Sequence, residues 1–473
     1  MTSRTATTGT AMSEKATSPD AMTDAAAQGC GPESRRKFLK VSAALGGAAV
    51  FSQASSGQAA TASGAYEPFS KKEIKVGLVG CGGRGTGAIR QILNAEGPIR
   101  LVAMADAFDY RLKSSLDTLK QVAGKEGKAE AIDVPASRQH SGLDAYAKVI
   151  ESDCDLVVLA TPPGFRPAQF EAAVDAGKHV FMEKPVATDA PGIRRILAAG
   201  KKAEERGLAV QVGLQRRHEP KYLETVKRLH DGAIGDILLT RVYWNSSGVW
   251  VRGRKPEQTE MEYQVDNWYY FLWTCGGQIV EQHIHNLDVS NWVKQAIPVT
   301  AQGQGGREVR TSKATGQIFD HSMVEYTYPD GSKMLSCCRH VPGAWGQVAE
   351  YAHGTNGSAN IGLGRILDAN GKIVWRYKAK RSVQGHQQEQ LNLIKALRAG
   401  EVPSETEYGA LSTMTAIMGR MAAHSGKEIK WGEAINSDLD LGPKTLAWDA
   451  EAPVLPDADG RYPVPVPGKT VVI

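Results

Sequence analysis

Cysteine is scarce in this chain. Its 473 residues include six, at positions 30, 81, 154, 275, 337 and 338, with no C-x-x-C pair among them. Such spacing excludes a disulfide framework and predicts no metal site. Cys81 and Cys154 lie beside apolar runs, where buried thiols are usual. Long apolar runs are missing too: none approaches the roughly 18 residues of a membrane-spanning helix, so no stable membrane anchor is expected. Charge of one sign is not concentrated. Lys and Arg number 56 against 51 Asp and Glu, a net +5 with His neutral, and no basic run has the density of a nucleic-acid footprint. Internal repeats are absent, which excludes a solenoid. What remains is an ordinary globular composition, long enough for two domains and a small appendage.

The first 62 residues read as a targeting device. They carry six Lys/Arg against four Asp/Glu, and Ser34-Arg35-Arg36-Lys37-Phe38-Leu39-Lys40 has the twin-arginine export pattern. A weakly apolar segment follows over residues 41–51, and Ala60-Thr61-Ala62 is a small-residue cleavage site that leaves Ser63 first. The expectation is export by the twin-arginine machinery to the periplasm or another extracytoplasmic location. That route carries proteins already folded, so a cofactor can be loaded in the cytoplasm.

The rest of the chain is organised around residues 74–90, IKVGLVGCGGRGTGAIR. The apolar, β-branched start predicts a strand buried on both faces. Gly80, Gly82 and Gly85 then stand in the spacing G-x-G-x-x-G, with Gly83 and Arg84 between them, ahead of a helix-compatible segment. Gly80 permits a tight turn, Gly82 lets backbone approach a pyrophosphate, and Gly85 lets helix and strand pack closely. The helix N-terminus offers free N–H groups to phosphates. A second apolar run, 99–105, ends in Asp106, an acid placed to bind the adenosine-ribose hydroxyls and to repel a 2′-phosphate. NAD is the expected cofactor. Arg84 is a candidate partner for a 2′-phosphate, which keeps NADP open.

Further runs at 155–160, 179–182 and 209–213 alternate with helical patterns at 165–176 and 191–206, giving a doubly wound parallel α/β (Rossmann) sheet over 73–215. Residues 123–141 read as irregular, and 143–150 as helix. Ligands of such sheets sit at the strands' carboxyl ends, where Thr161-Pro162 and Glu183-Lys184 also fall. From 216 to 432 the texture changes to a C-terminal α+β domain. Extended stretches at 237–244, 324–328, 334–338, 347–353 and 372–377 predict an open, mostly antiparallel sheet, and 387–399 and 411–425 predict helices. Residues 433–473 form a C-terminal arm, Pro-rich and without periodicity from 449, read as an arm or a disordered tail.

Glu183-Lys184-Pro185 follows a strand at the edge where a nicotinamide belongs. Lys184 there can take or give the proton of a substrate hydroxyl, and the X-Pro bond after it is a candidate cis peptide. A second cluster spans 276–288, GGQIVEQHIHNLD. If it is one helix, Glu281, His285 and Asp288 share a face at i, i+4 and i+7, which sets an imidazole near the substrate with carboxylates to orient it. His283 points elsewhere and reads as a packed histidine. Metal binding by the Glu/His pair lacks a further Cys/His cluster to complete it. Arg217 and His218, after the last Rossmann strand, are candidate substrate ligands. So is Trp268, within an aromatic-rich stretch (Trp244, Trp250, Trp268, Tyr269, Tyr270, Trp273) that suits sugar faces, core packing or a subunit interface equally.

These residues together resemble the glucose–fructose oxidoreductase / inositol dehydrogenase / MocA family. The shared marks are VGCGGRGTGA at 79–88, Asp106, ATPP at 160–163, EKP at 183–185 and GGQIVEQHIHNLD at 276–288. The resemblance implies a Rossmann domain followed by an open-faced sheet that often builds dimers or tetramers, and Lys184 with His285 as the acid/base pair. Where many members carry Asp four residues before that histidine, this chain has Glu281. It implies an NAD(P)-dependent oxidoreductase of a sugar or polyol. The alternative is a redox-neutral glycosidase built on the same site, and behind it a non-catalytic sugar-binding protein.

Overall fold

The computed structural model describes residues 68–378 and 383–473; the twin-arginine segment 34–40 and the cleavage site 60–62 lie outside the described residues. The first sheet contains β1 (Ile74–Val79), β2 (Ile99–Asp106), β3 (Gln139–Ser141), β4 (Leu156–Leu159), β5 (His179–Met182) and β6 (Val210–Val212), in the spatial order β3-β2-β1-β4-β5-β6. Every pairing is parallel. β1, β4 and β5 are apolar runs because helices cover both sheet faces, and β4 and β5 are buried at every residue. Strand order reverses between β1 and β4, which opens a crevice at their carboxyl ends.

The second sheet has nine strands: β7 (Ile237–Ser246), β8 (Thr300–Gly306), β9 (His321–Thr327), β10 (Lys333–His340), β11 (Gln347–Gly354), β12 (Gly357–Asn360), β13 (Arg365–Asp368), β14 (Ile373–Arg376) and β15 (Ile429–Lys430). β7 pairs in parallel with β10, and the other pairings are antiparallel. β10 shows the alternation of a one-sided sheet: Met334, Ser336, Cys338 and His340 are buried, and the residues between them are half-exposed. The expected α/β sheet followed by an open, mostly antiparallel sheet is what the chain forms.

The division at 215/216 separates the two sheets but not the helices. Helix Gly385–Ala399 returns to the first sheet, where Leu393, Ile394 and Leu397 join Ile74, Leu78 and Ile89 in one core. Helix Thr406–Ser425 packs on helix Ala190–Glu205 so closely that a Cβ on Gly200 would lie 2.4 Å from Thr406. Two features differ from expectation, and for the C-terminal residues one of two readings is met. β3 emerges from the stretch read as irregular; its sequence, QHS, has no strand signature because it pairs on one edge only. β8 (TAQGQGG) was hidden by glycine, and a Cβ at Gly305 would stand 2.6 Å from the His321 carbonyl oxygen of β9. The arm is ordered. It lacks regular structure after residue 435, yet Tyr462 is buried and the Gly468 N–H bonds the Ser425 carbonyl. No described helix is long and apolar enough to cross a membrane.

Burial holds the imidazole of His179 down to about 4, and those of His283, His340 and His424 down to about 3. Unfolding returns each to about 6.5, so below that pH the unfolded chain binds more protons than the folded one. The contribution of these four imidazoles is therefore complete above about pH 6.5 and is lost with acid, by about 1.4 kcal/mol per pH unit for each until its folded value is reached. Thermal unfolding between pH 7 and 5 should show a steep fall in Tm; a flat Tm would contradict this reading.

Candidate active site

The glycine turn follows β1 directly. Gly80 has φ +95°, and a Cβ there would meet Ala160 and Thr161 backbone at 2.6 Å. A Cβ on Gly85 would lie 2.0 Å from the Gly80 carbonyl oxygen, so helix Gly83–Ile92 approaches the turn only because that side chain is absent. Gly82 and Gly83 differ: nothing stands within 4 Å of where their Cβ atoms would be. Their open side faces a cavity of about 300 Å³, and no side chain caps the helix N-terminus beside it. An uncapped helix start with empty space before it fits a dinucleotide pyrophosphate. The cavity runs past Asp106, Thr161 and Pro162. Asp106 accepts the Cys81 N–H at 2.7 Å and the Phe108 N–H at 2.9 Å; burial pushes its carboxyl up, and these two bonds resist that.

Arg84 does not face Asp106. Its guanidinium donates twice to Glu183, at 2.6 and 2.9 Å, and lies 3.7 Å from Glu389, so it is no ligand for a 2′-phosphate. Burial resists ionisation of Glu183, but Arg84 and Lys184 overcome it and hold the carboxyl below its ordinary range. Glu389, from helix Gly385–Ala399, is fully buried with both oxygens unpartnered. Burial and then the Glu183 charge push its carboxyl well up, against the pull of the Arg84 cation. Neither Glu389 nor His386 of the same helix was legible as a site residue, because each lies about 200 positions downstream of Glu183 and carries no local motif.

Lys184 precedes Pro185 through a cis peptide. Its Nζ donates to the Glu281 main-chain oxygen at 2.8 Å and to Glu281 Oε1 at 2.9 Å, and the other carboxylate oxygen has no partner. An ammonium has three donors, so one remains for a substrate oxygen. The 276–288 stretch is not one helix. Helix Gln278–Glu281 ends, the His283 N–H reaches back to the Gln278 carbonyl, and helix Ile284–Lys294 starts afresh. This wider loop is a π-type bulge, at the point where Lys184 enters. The three residues expected on one face therefore have separate surroundings. Glu281 meets Lys184. His285 stacks on Trp244 with ring centroids 6.0 Å apart and an unpartnered Nδ1. Burial, and then the Lys184 and Arg216 cations, hold the His285 imidazole well below its ordinary value, so it is neutral. His283 is buried and bonded to Ser336 at 2.8 Å.

Asp288, Arg217 and His218 are not presented to a ligand. Arg217 grips Asp288 with bonds of 2.8 and 3.0 Å and stacks 4.0 Å over Tyr408, and Asp288 also accepts from Ser412. His218 lies 3.3 Å from Glu405 and shares a bond with Asn392. These groups brace the helices behind the site. Asp288→Asn should therefore lower Tm, removing a buried ion pair worth about 3–5 kcal/mol to break, with substrate KM unchanged; a raised KM at unchanged Tm would restore the ligand role. Trp268 lines the cavity, edge-on to Trp250 at 5.7 Å.

A model of the Gfo/Idh/MocA oxidoreductase family, described as an NAD-binding Rossmann fold, matches residues 74–214. The matched residues run from β1 through β6. Among relatives of the whole chain, scyllo-inositol 2-dehydrogenase (NAD(+)) of Bacillus subtilis is 24% identical over 305 residues, 60% of this chain and 80% of that protein. Inositol 2-dehydrogenase of Acidothermus cellulolyticus is 32% identical over 54% of this chain and 62% of its own length. For inositol 2-dehydrogenase 4 of Saccharopolyspora erythraea, 36% identity covers 36% of this chain and 45% of that protein. Likeness in fold extends past the matched residues. Aldose-aldose oxidoreductase of Caulobacter crescentus superposes with a TM-score of 0.58 at 18% identity, over 76% of this chain and all of that one. Scyllo-inositol dehydrogenase of Lactobacillus casei with bound NAD(H) and scyllo-inositol gives 0.57 at 20%, over 76% of this chain and 100% of that one. At these identities the likeness is one of fold.

Proposed function

We propose that the chain is an exported, NAD-dependent oxidoreductase of a sugar or polyol hydroxyl that keeps its cofactor between turnovers. The observation that carries this is Lys184: tied to the glycine loop through Glu183 and Arg84, it holds one free donor beside a neutral imidazole. A bound nicotinamide supplies the hydride acceptor or donor. Lys184 moves the hydroxyl proton, and Glu281, 2.9 Å away, receives or resupplies it. His285 bonds the same oxygen as a neutral partner. Relatives named for inositols and aldoses support a polyhydroxylated substrate. The twin-arginine pattern supports export, and outside the cytoplasm there is no free nicotinamide pool to exchange with. A nicotinamide dinucleotide held at the glycine turn and Asp106 would take a hydride from one sugar and return it to a second sugar or to the product, a ping-pong scheme like that of glucose–fructose oxidoreductase. The half-reactions balance, since the hydride and proton taken from one hydroxyl are returned to one carbonyl. A homo-oligomer formed on the second sheet's open face, where Trp345 and Val348 stand exposed, fits this picture.

The test is to offer sugars, polyols and glycosides singly to purified protein without added cofactor, following nicotinamide absorbance and products. Reduction by one substrate class and reoxidation by a carbonyl compound is expected. Release of an aglycone with no net redox change would replace this reading with the glycosidase. Sugar binding with a nicotinamide that never changes oxidation state would replace it with a binding protein.

A further inference from the structure

The far end of the cofactor cavity is not built by the first sheet. Trp250, Arg252 and Trp268 close it, all from the segment between β7 and helix Leu272–Cys275. That segment leaves the second sheet and crosses to Asp106 and Phe108 of the first domain. Three of its four cavity residues form one unit: Arg252 lies 4.0 Å over the Trp250 ring, and Trp250 meets Trp268 edge-on at 5.7 Å. Trp250 is 40% exposed, although it is the kind of large aromatic that a core would bury.

Two fastenings hold the segment down. The first is Asp266, buried at 4% exposure. Its Oδ1 accepts from Arg111 at 2.6 Å and Tyr110 at 2.9 Å, both on helix Asp109–Lys125 of the first domain, and it lies 3.3 Å from Arg252. The second is the C-terminal arm. Trp448 packs on Phe108 with centroids 5.4 Å apart, and its carbonyl accepts from Thr259 at 2.8 Å. Farther along, the Val454 carbonyl accepts from Gln264 and the Tyr462 hydroxyl donates to Glu260. One segment is thus pinned at one end to the helix after Asp106 and strapped along its length by the arm.

We infer that residues 249–268 are the adenosine-side wall of the cofactor site, with Trp250 and Arg252 against the adenosine and Asp266 as the latch that keeps the wall closed. The inference rests on the NAD reading above and gives the retained cofactor a structural cause. Release of the cofactor requires the latch to open, which exposes a buried carboxylate that holds Tyr110 and two guanidinium groups. Trp250 contributes a flat apolar face with a guanidinium beside it, a surface suited to a purine and a ribose.

The experiment compares wild type with Trp250→Ala and Asp266→Asn, using NAD, ADP-ribose and nicotinamide mononucleotide as probes. Calorimetric titration gives affinities, and stopped-flow displacement gives dissociation rates. Trp250→Ala should release NAD and ADP-ribose on the order of tenfold faster than wild type, with mononucleotide binding and Tm unchanged. Asp266→Asn should speed release likewise, whatever its cost in Tm. Equal release rates for wild type and Trp250→Ala would overturn the wall while leaving the glycine-loop site intact. Wild type that binds NAD but frees it rapidly would end the retained-cofactor reading, and the ratio between wild type and variant would still decide the wall. A wild type that binds none of the probes would end both.

Discussion

Lys184→Met should lower kcat by about 10²–10⁴-fold, the usual contribution of a positioned acid/base group, and leave the affinity for NAD nearly unchanged. The lysine's two bonds to Glu281 leave one donor for a substrate oxygen, while the uncapped helix start that fits a pyrophosphate lies at the glycine turn. The same change leaves the Glu281 carboxylate, already with one unpartnered oxygen, with no cation beside it. A loss of stability of about 1–3 kcal/mol should accompany the lost activity. Glu281→Gln separates the two effects: it keeps a bond to Nζ and removes the proton relay, so kcat should fall while Tm holds. Steady-state kinetics beside NAD titration makes the measurement. A Lys184→Met protein with near wild-type kcat would remove the acid/base assignment.

Gly85→Ala and Gly83→Ala should give opposite results. At Gly85 the added Cβ would sit 2.0 Å from a backbone oxygen, which cannot move aside without opening the turn, so stability should drop by about 1–3 kcal/mol. Affinity for NAD should fall about tenfold for each ~1.4 kcal/mol of distortion passed to the loop. At Gly83 the same methyl enters open space at a helix start, and stability should change by less than about 1 kcal/mol. It would still occupy the cavity side of the turn, so NAD binding should weaken in a protein that melts normally. Thermal scans of both variants with and without NAD decide the matter. A Gly83→Ala protein that binds NAD as wild type does would mean that the open face of the turn is not where the dinucleotide lies.

What was legible in the sequence was local. β1, the glycine turn, β2 and Asp106 lie within 33 consecutive residues, and each step is dictated by residue type: β-branched side chains for a doubly covered strand, missing side chains for the turn. Lys184 was legible for the same reason, as it follows a strand that could be counted. Its partner is 97 positions away, and no periodicity reports that distance. The 276–288 cluster shows the limit well. Helical spacing grouped Glu281, His285 and Asp288, but a bulge at Gln282 and His283 parted them, and Arg217 took Asp288 into a buried pair. Trp268, expected as a substrate ligand, lines the cavity beside Trp250, and the direction in which an insertion crosses a domain is a tertiary fact that spacing does not report. The sequence left arm and disordered tail open for the last residues because the arm is held by contacts to Phe108, Gln264 and Glu260 rather than by its own backbone pattern.

The most direct test of the central claim is to denature the purified protein and identify what nucleotide it releases. The structure and the glycine loop predict about one NAD per chain, with an oxidation state that changes when the protein is first soaked with the right polyol or sugar. A protein that releases no nicotinamide, and takes up neither NAD nor NADP when they are added, would contradict the account and leave the Rossmann sheet as a scaffold for binding.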